Sequence, residues 1–255
     1  MLAGAVLREY RQVEYPDGNL TPKGWKPDYT IGRTMLSVDL GIRSPAALLW
    51  VEDLALGAWV VTREWTPDQV SISDLCQLLL RTTAPRRLAT QGKIPIDKVV
   101  IDPAGHARSS QTGHADADVW AMAYPVGYGL RPAWERNPSR RGVVEGITRL
   151  AISLETRRVL FASDMIMSGM SADPKARTLA RSLTGYRWDS RNPTVPMKDG
   201  IHDHQIDALR YGHREVMWDN RPRAAVPSEQ QPEAPRSGRA RPPAQIDPAM
   251  GLDSR

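Results

Sequence analysis

The sequence predicts an α/β domain with a mixed central sheet, an antiparallel three-strand meander plus parallel strands, flanked by helices. Three observations carry that prediction. Three apolar segments follow one another at hairpin spacing between residues 35 and 65. A helical pattern and a fourth apolar segment come next, the order of a parallel crossover. Amphipathic helices with a 3.6-residue period then close the patterned part of the chain.

Met35 to Asp39 (MLSVD) reads as the first strand, Ala46 to Val51 as the second and Ala58 to Trp65 as the third. The turns between them, Gly41 to Pro45 and Asp53 to Gly57, are short enough for antiparallel pairing. Thr66-Pro67-Asp68-Gln69 has the form of a capping box with proline at the first helical position, and Ile72, Leu75, Leu78 and Leu79 supply the buried face of the helix that follows. Lys98 to Asp102 (KVVID) has the unbroken apolar core of a central strand. Val119 to Met122 belongs to a second helix and Pro125 to Leu130 to a fifth strand. Arg140 to Glu155 is amphipathic, with Val143, Val144, Ile147, Leu150, Ala151 and Leu154 on one stripe. Arg158 to Ala162 reads as one more short strand, Pro174 to Thr184 as a helix and His202 to Trp218 as the last helix.

Around this domain, placed at 34–218, the composition changes. Residues 1–33 carry Pro16, Gly18, Pro22, Gly24, Pro27 and Gly32 without apolar periodicity and read as a lead-in arm or linker. Residues 219–255 are rich in Pro, Arg, Ala and Ser, too poor in large apolar groups to offset the entropy of ordering, and read as a disordered tail. At 41% hydrophobic and 25% charged the whole is ordinary for a globular protein. The longest apolar runs fall far short of the roughly 18 residues that span a bilayer. Leu2 to Leu7, followed at once by Arg8 and Glu9, is too short for a secretory core, and the single Cys76 forms no internal disulfide. These features place the chain in the cytoplasm, away from membranes.

The net charge of +5 favours a polyanionic partner. Seven Arg against three Glu lie between Arg131 and Arg158, and five Lys or Arg against two Asp between Asp173 and Arg191. Such stretches are either solvated helix faces or phosphate contacts. Arg140, Arg141 and Lys198 are the candidates for such phosphate contacts.

Asp39 ends the first strand ahead of Gly41, and Asp102 ends the fourth ahead of Pro103. Either acid alone reads as a turn-former. If the two strands are parallel neighbours, both acids leave the sheet at one carboxyl edge, where open α/β sheets bind ligands. Two such carboxylates repel each other unless a cation compensates, so a shared divalent metal explains the pairing. In the last helix Ile206, Leu209, His213 and Val216 form the core stripe, while Asp203, Asp207 and Arg210 share the adjoining face and His204 sits one turn before Asp207. Asp203 is placed as an N-cap or as a site residue; Asp207, inside the helix, has no capping duty.

The Asp39 strand and hairpin, the Asp102 strand end, Gly185-Tyr186-Arg187-Trp188-Asp189, and above all Lys198 to Tyr211 with His-x-x-Asp-Ala-Leu-Arg-Tyr resemble the nuclease domain of phage terminase large subunits over roughly residues 34–218. The resemblance implies a ribonuclease-H-like fold. It also implies three acids, Asp39, Asp102 and Asp207, binding two Mg²⁺ or Mn²⁺ ions that cut double-stranded DNA during genome packaging, with Asp203 and His204 in support. Asp39 is the candidate to bridge both ions, one of which activates water while the other stabilises the leaving oxygen. The partners implied are a packaging ATPase motor, a small terminase subunit and a capsid portal, in a bacterial host cell. No Gly-x-x-x-x-Gly-Lys-Ser/Thr occurs, so this chain carries no Walker phosphate loop, and a motor would be a missing part or a separate polypeptide. Three other readings stay open. One is zinc on His202, His204, His106 or His114, which lacks Cys pairs and zinc-type His spacing. The others are a transposase, integrase or resolvase using the same acids, and a non-catalytic DNA-binding packaging module.

Overall fold

The computed structural model describes residues 5–41, 44–101, 115–124, 130–132, 140–173, 175–192 and 194–219. In chain order the elements are β1 (Thr34–Asp39), β2 (Ala46–Asp53), β3 (Ala58–Trp65), α1 (Ile72–Leu80), β4 (Thr83–Pro85), β5 (Ile94–Ile96), β6 (Lys98–Ile101), α2 (Asp116–Ala123), β7 (Leu130–Pro132), α3 (Arg140–Glu155), β8 (Val159–Phe161), α4 (Ser163–Ser171), α5 (Leu179–Gly185) and α6 (Asp203–Asp219). Among the described residues, six strands make one sheet in the order β7-β6-β1-β2-β3-β8. The meander β1-β2-β3 is antiparallel, with a bulge at Leu49/Trp50. β6 joins β1, β7 joins β6 and β8 joins β3, all in parallel. The sheet is therefore mixed, as the segment order required.

Both faces of this sheet are covered, which is why the middles of its strands are apolar on both sides. Met35, Ala46, Leu48, Trp50, Trp59, Val61 and Val100 join one core with residues of α3, α5 and α6. Their neighbours Leu36, Val38, Ala47, Leu49, Val99 and Ile101 join the other with residues of α1 and α2. The two-residue period of a strand sorts side chains between the two cores. α6 lies across β1, β2 and β6. Gly212 lets it approach closely, since a Cβ there would stand 2.4 Å from Nε1 of the fully buried Trp50. The Trp50 indole N–H donates to Ser37 Oγ at 2.8 Å, and Lys98 of β6 pairs with Glu215 of α6.

Several expectations need correction. The N-terminal segment is no linker over its described part. Val6, Leu7 and Leu20 are buried in the α6-side core, and Leu20 bridges Phe161. The fully buried Asn19 donates to the carbonyls of Leu154 (2.8 Å) and Val159 (3.3 Å) and accepts from the Arg11 amide at 2.8 Å. Backbone bonds and isolated apolar anchors hold this segment, and neither leaves a periodicity to read.

The first helix begins after Ser71, whose side chain and that of Asp74 form the capping box. The expected box fails because Gln69 has a φ of 54°, which no helix accommodates, and the Thr66 hydroxyl donates instead to the Arg177 carbonyl at 2.5 Å. The parallel ribbon of β4 and β5 went unread because each strand has three residues and a proline. α4 was also unread, and α5 starts at Leu179, not near 174. A fifth strand is present at Leu130–Pro132, whereas residues 125–129, where it was expected to start, lie outside the described residues, as does the tail from 220.

The expected stripe Ile206, Leu209, His213 and Val216 is buried. His213 Nε2 lies 2.8 Å from Ser153 Oγ. Burial first, then the charge of Arg149, holds the imidazole down to about 4. In the unfolded chain the ring titrates near its ordinary value of about 6.5. Between these two values the unfolded chain takes up a proton that the folded chain refuses, so this group's contribution to stability is lost as pH falls from about 6.5 to about 4. In His213→Gln, urea denaturation across that window should show an acid loss smaller than wild type by on the order of 3 kcal/mol. Identical losses in the two proteins would contradict the assignment.

Candidate active site

β1 delivers the first acid. Met35 faces the α6-side core, and strand alternation brings Asp39 to the same face, where it is buried. Asp39 Oδ2 lies 2.6 Å from His204 Nδ1 of α6. Gly41 makes room for that contact, since a Cβ there would stand 2.6 Å from the imidazole. β1 and β6 pair with Val38 opposite Ile101, the residues just before Asp39 and Asp102. Asp102 itself lies outside the described residues, together with His106 and His114.

α6 delivers most of the remaining groups, and the turn that leads into it is organised by a residue that periodicity did not single out. The Asp199 carboxylate accepts from the amides of Ile201 and His202, both at 2.8 Å, and lies 2.6 Å from His202 Nδ1. Gly200, at a φ of 69°, permits this turn. Burial opposes the Asp199 charge, but the His202 ring and the two amides outweigh it and hold the carboxyl below its usual range. Asp203 is then the first helical residue and is spared the capping role. Its Oδ1 is buried and has no hydrogen-bond partner.

Asp207 follows one turn later. Its Oδ2 accepts from Lys198 Nζ at 2.6 Å, and its Oδ1 from Arg210 Nη2 at 3.1 Å and Nε at 3.3 Å. Lys198, expected on the DNA backbone, thus belongs to the acid cluster. Gly146 of α3 lies against the buried Arg210 stem, and a Cβ there would stand 2.8 Å from its Cδ. The backbone at Arg140 and Arg141 opens α3, and their side chains lie outside the described set.

The electrostatics bind these groups into one site. Burial foremost pushes the Asp207 carboxyl up to about 6; Lys198 opposes that rise, while the charges of Asp39 and Asp203 add to it. Burial alone would lower the Lys198 ammonium, but Asp207, with Asp203 and Asp39 behind it, leaves it above its ordinary value. The hydrogen bond to Asp39 raises His204 against burial; Asp39 and Asp203 charges add to that, and the Arg177 charge subtracts. The Tyr186 phenol, also without a hydrogen-bond partner, is raised by burial and then by Asp207, Asp203 and Asp199. Tyr186 and Arg177 were not read as site residues; Tyr186 lies in a run whose resemblance had already been noted, and Arg177 in a basic stretch.

Among the described residues, no three His, Cys, Asp or Glu groups converge closely enough to hold an ion by themselves. The donor chemistry of the cluster nevertheless suits a hard divalent cation, which prefers carboxylate oxygen and would satisfy the partnerless Asp203 Oδ1. With carboxylates as its main donors and no Cys pair, the set suits a hard cation better than zinc. Beside the cluster, the loop between α4 and α5 carries Lys175 and Arg177, with Arg181 in the first turn of α5. With Arg63, Trp25 and Glu64, this loop lines a groove of about 760 Å³. Burial pushes Glu64 up to about 7 against the hydrogen bond from the Leu179 amide.

No family model matches the chain, and no curated protein matches it. Solved structures do. The chain is similar to the P22 large terminase nuclease domain, with a TM-score of 0.54 and 15% identity over 84% of this chain and 93% of that one. It is similar to the large terminase nuclease of thermophilic phage G20c with bound magnesium, at 0.52 and 14% identity over 84% and 97%. The cobalt-bound form of that nuclease compares alike, at 0.52 and 15%. The fold is that of the large-terminase nucleases. It is ribonuclease-H-like, as the sequence resemblance implied. At such identity the likeness speaks for the fold, and the chemistry rests on the side chains.

Asp199→Ala removes two amide bonds and the partner of His202 at the start of α6. A loss of about 1–2 kcal/mol in urea denaturation is expected, with faster hydrogen exchange at the first amides of α6. Unchanged exchange there would show that another group organises the turn.

Proposed function

We propose that this chain is a divalent-metal-dependent endonuclease that hydrolyses double-stranded DNA in phage genome packaging. The observation that carries the reading is the gathering of Asp39, Asp203 and Asp207, buried and within electrostatic reach of one another, at one edge of a terminase-nuclease fold. Asp39, Asp102 and Asp207 are assigned as the acids that hold two Mg²⁺ or Mn²⁺ ions. Asp102 enters through its covalent place, one residue beyond the partner of Val38. Asp203 and His204 support them. When bound, the ions supply Lewis-acid stabilisation of the charge that develops as a phosphodiester is cleaved.

The chain's own groups prepare that chemistry. Arg210, buried and bonded to Asp207 Oδ1, keeps this carboxylate oriented. His204 holds Asp39 Oδ2 and so fixes the orientation of that carboxylate. Arg177, whose charge reaches His204, and Lys175 of the same loop would take the DNA backbone, without reading sequence. The partners of such a nuclease are a packaging motor, a small terminase subunit and a capsid portal, in the cytoplasm of a bacterial host. No helix among the described residues is long and apolar enough to cross a membrane.

Plasmid cleavage in Mn²⁺ or Mg²⁺, abolished by EDTA, tests the reading. Asp102→Asn and Asp207→Asn should each lose on the order of 100-fold or more, because groups that merely support metal ligands already cost 10–100-fold. Cutting at the wild-type rate by Asp102→Asn would remove that acid from the site.

The same reading fixes where the substrate lies. Duplex binding in Ca²⁺ by Lys175→Ala/Arg177→Ala should weaken alike for unrelated sequences, and the slope of log affinity against log salt should fall by about 2. An unchanged slope would move the DNA to another face.

A further inference from the structure

Both oxygens of Asp207 are held by cations, and the two cations differ in kind. Arg210 lies on the same helix, is 3% exposed and bonds Oδ1 with two nitrogens of its planar fork. It has no route away from the carboxylate while α3 and α6 stay packed. Lys198 comes from the chain ahead of α6, bonds only Oδ2, and has a side chain 62% exposed. A lysine of that kind is a point charge on a flexible stem, and it leaves for solvent at little cost. Its ammonium also lies within reach of the charges of Asp203 and Asp39. A full positive charge therefore stands where the fields of three acids add, beside the partnerless Asp203 Oδ1.

We propose that Lys198 is an internal counter-cation, which holds Asp207 Oδ2 until a divalent ion takes that oxygen, so that the ion binds in competition with the chain's own lysine. The inference rests on the nuclease reading of this site and adds a regulatory element to it. Without an ion, three buried carboxylates destabilise one another, and Lys198 offsets part of that repulsion, so the fold assembles before the ion arrives. When the ion binds, it must displace the ammonium and work against its charge. The lysine thus sets the ion concentration at which the site fills, while Arg210 keeps Asp207 in place throughout.

Mn²⁺ titration of the full chain, by calorimetry and by loss of the free-ion paramagnetic resonance signal, tests this in wild type, Lys198→Met and Lys198→Arg. Methionine keeps the length of the stem and removes the charge. Lys198→Met should bind Mn²⁺ roughly 2- to 5-fold more tightly, the range expected for removing an ion pair of this exposure. Lys198→Arg should remain as weak as wild type. In EDTA the Tm of Lys198→Met should lie below that of wild type, and saturating Mn²⁺ should close the gap; a purely structural lysine would leave the gap unchanged. A Met variant unfolded in EDTA and recovered by Mn²⁺ supports the inference, and one unfolded in both overturns it. Equal or weaker Mn²⁺ binding by Lys198→Met overturns the inference and leaves the nuclease reading standing. Absence of Mn²⁺ uptake by all three proteins overturns both.

Discussion

The structure depends on holding like charges together in a place where water cannot screen them. Asp39, Asp203 and Asp207 are each 5% exposed, and the charges of the first two raise the electrostatic cost of ionising the third. In isolation such a cluster would protonate or push its elements apart. Here the imidazole of His204, the ammonium of Lys198 and the guanidinium of Arg210 are interleaved among the acids. The cluster stays in the fold because its cations arrive on the same helix, or just ahead of it, as two of its acids.

That arrangement needs a rigid frame, since an acid displaced by an ångström changes both its repulsions and its partners. The frame is a sheet buried on both faces, with α6 laid across its middle strands. Close approach depends on missing side chains at three positions: Gly212 against Trp50, Gly41 against His204 and Gly146 against Arg210. Each is a contact between a backbone and a large group, so α6 has little freedom to slide. The N-terminal segment adds to this frame from the other side of the sequence, with Asn19 tying the end of α3 to β8.

Much of this was legible from residues alone, and what was legible shares a physical basis. β1 to β3, β6, α3 and α6 bury one stripe or one face apiece, and burial imposes a period that survives in the sequence. α6 was the clearest case, because its apolar stripe and its acidic face are both written at helical spacing. The errors share a basis too. The N-terminal segment is held by hydrogen bonds and single apolar anchors, β4 and β5 are too short to show alternation, and the box at Thr66 was undone by the backbone at Gln69. Asp199 looked like one more turn residue beside a glycine, because its bonds to Ile201, His202 and the His202 ring exist only after the turn closes.

For the site, the sequence by itself determined that Asp39 stands at a strand end and which acids lie on α6, since those positions follow from covalent spacing within single elements. It placed Asp203, His204 and Asp207 correctly relative to one another for that reason. Only the tertiary structure decided that His204 bonds Asp39, a residue 165 positions away, that Lys198 bonds Asp207, and that Arg177 comes near the imidazole. Those pairings depend on how α6, β1 and the loop before α5 pack together. Packing is a property of the whole core, and no local spacing records it.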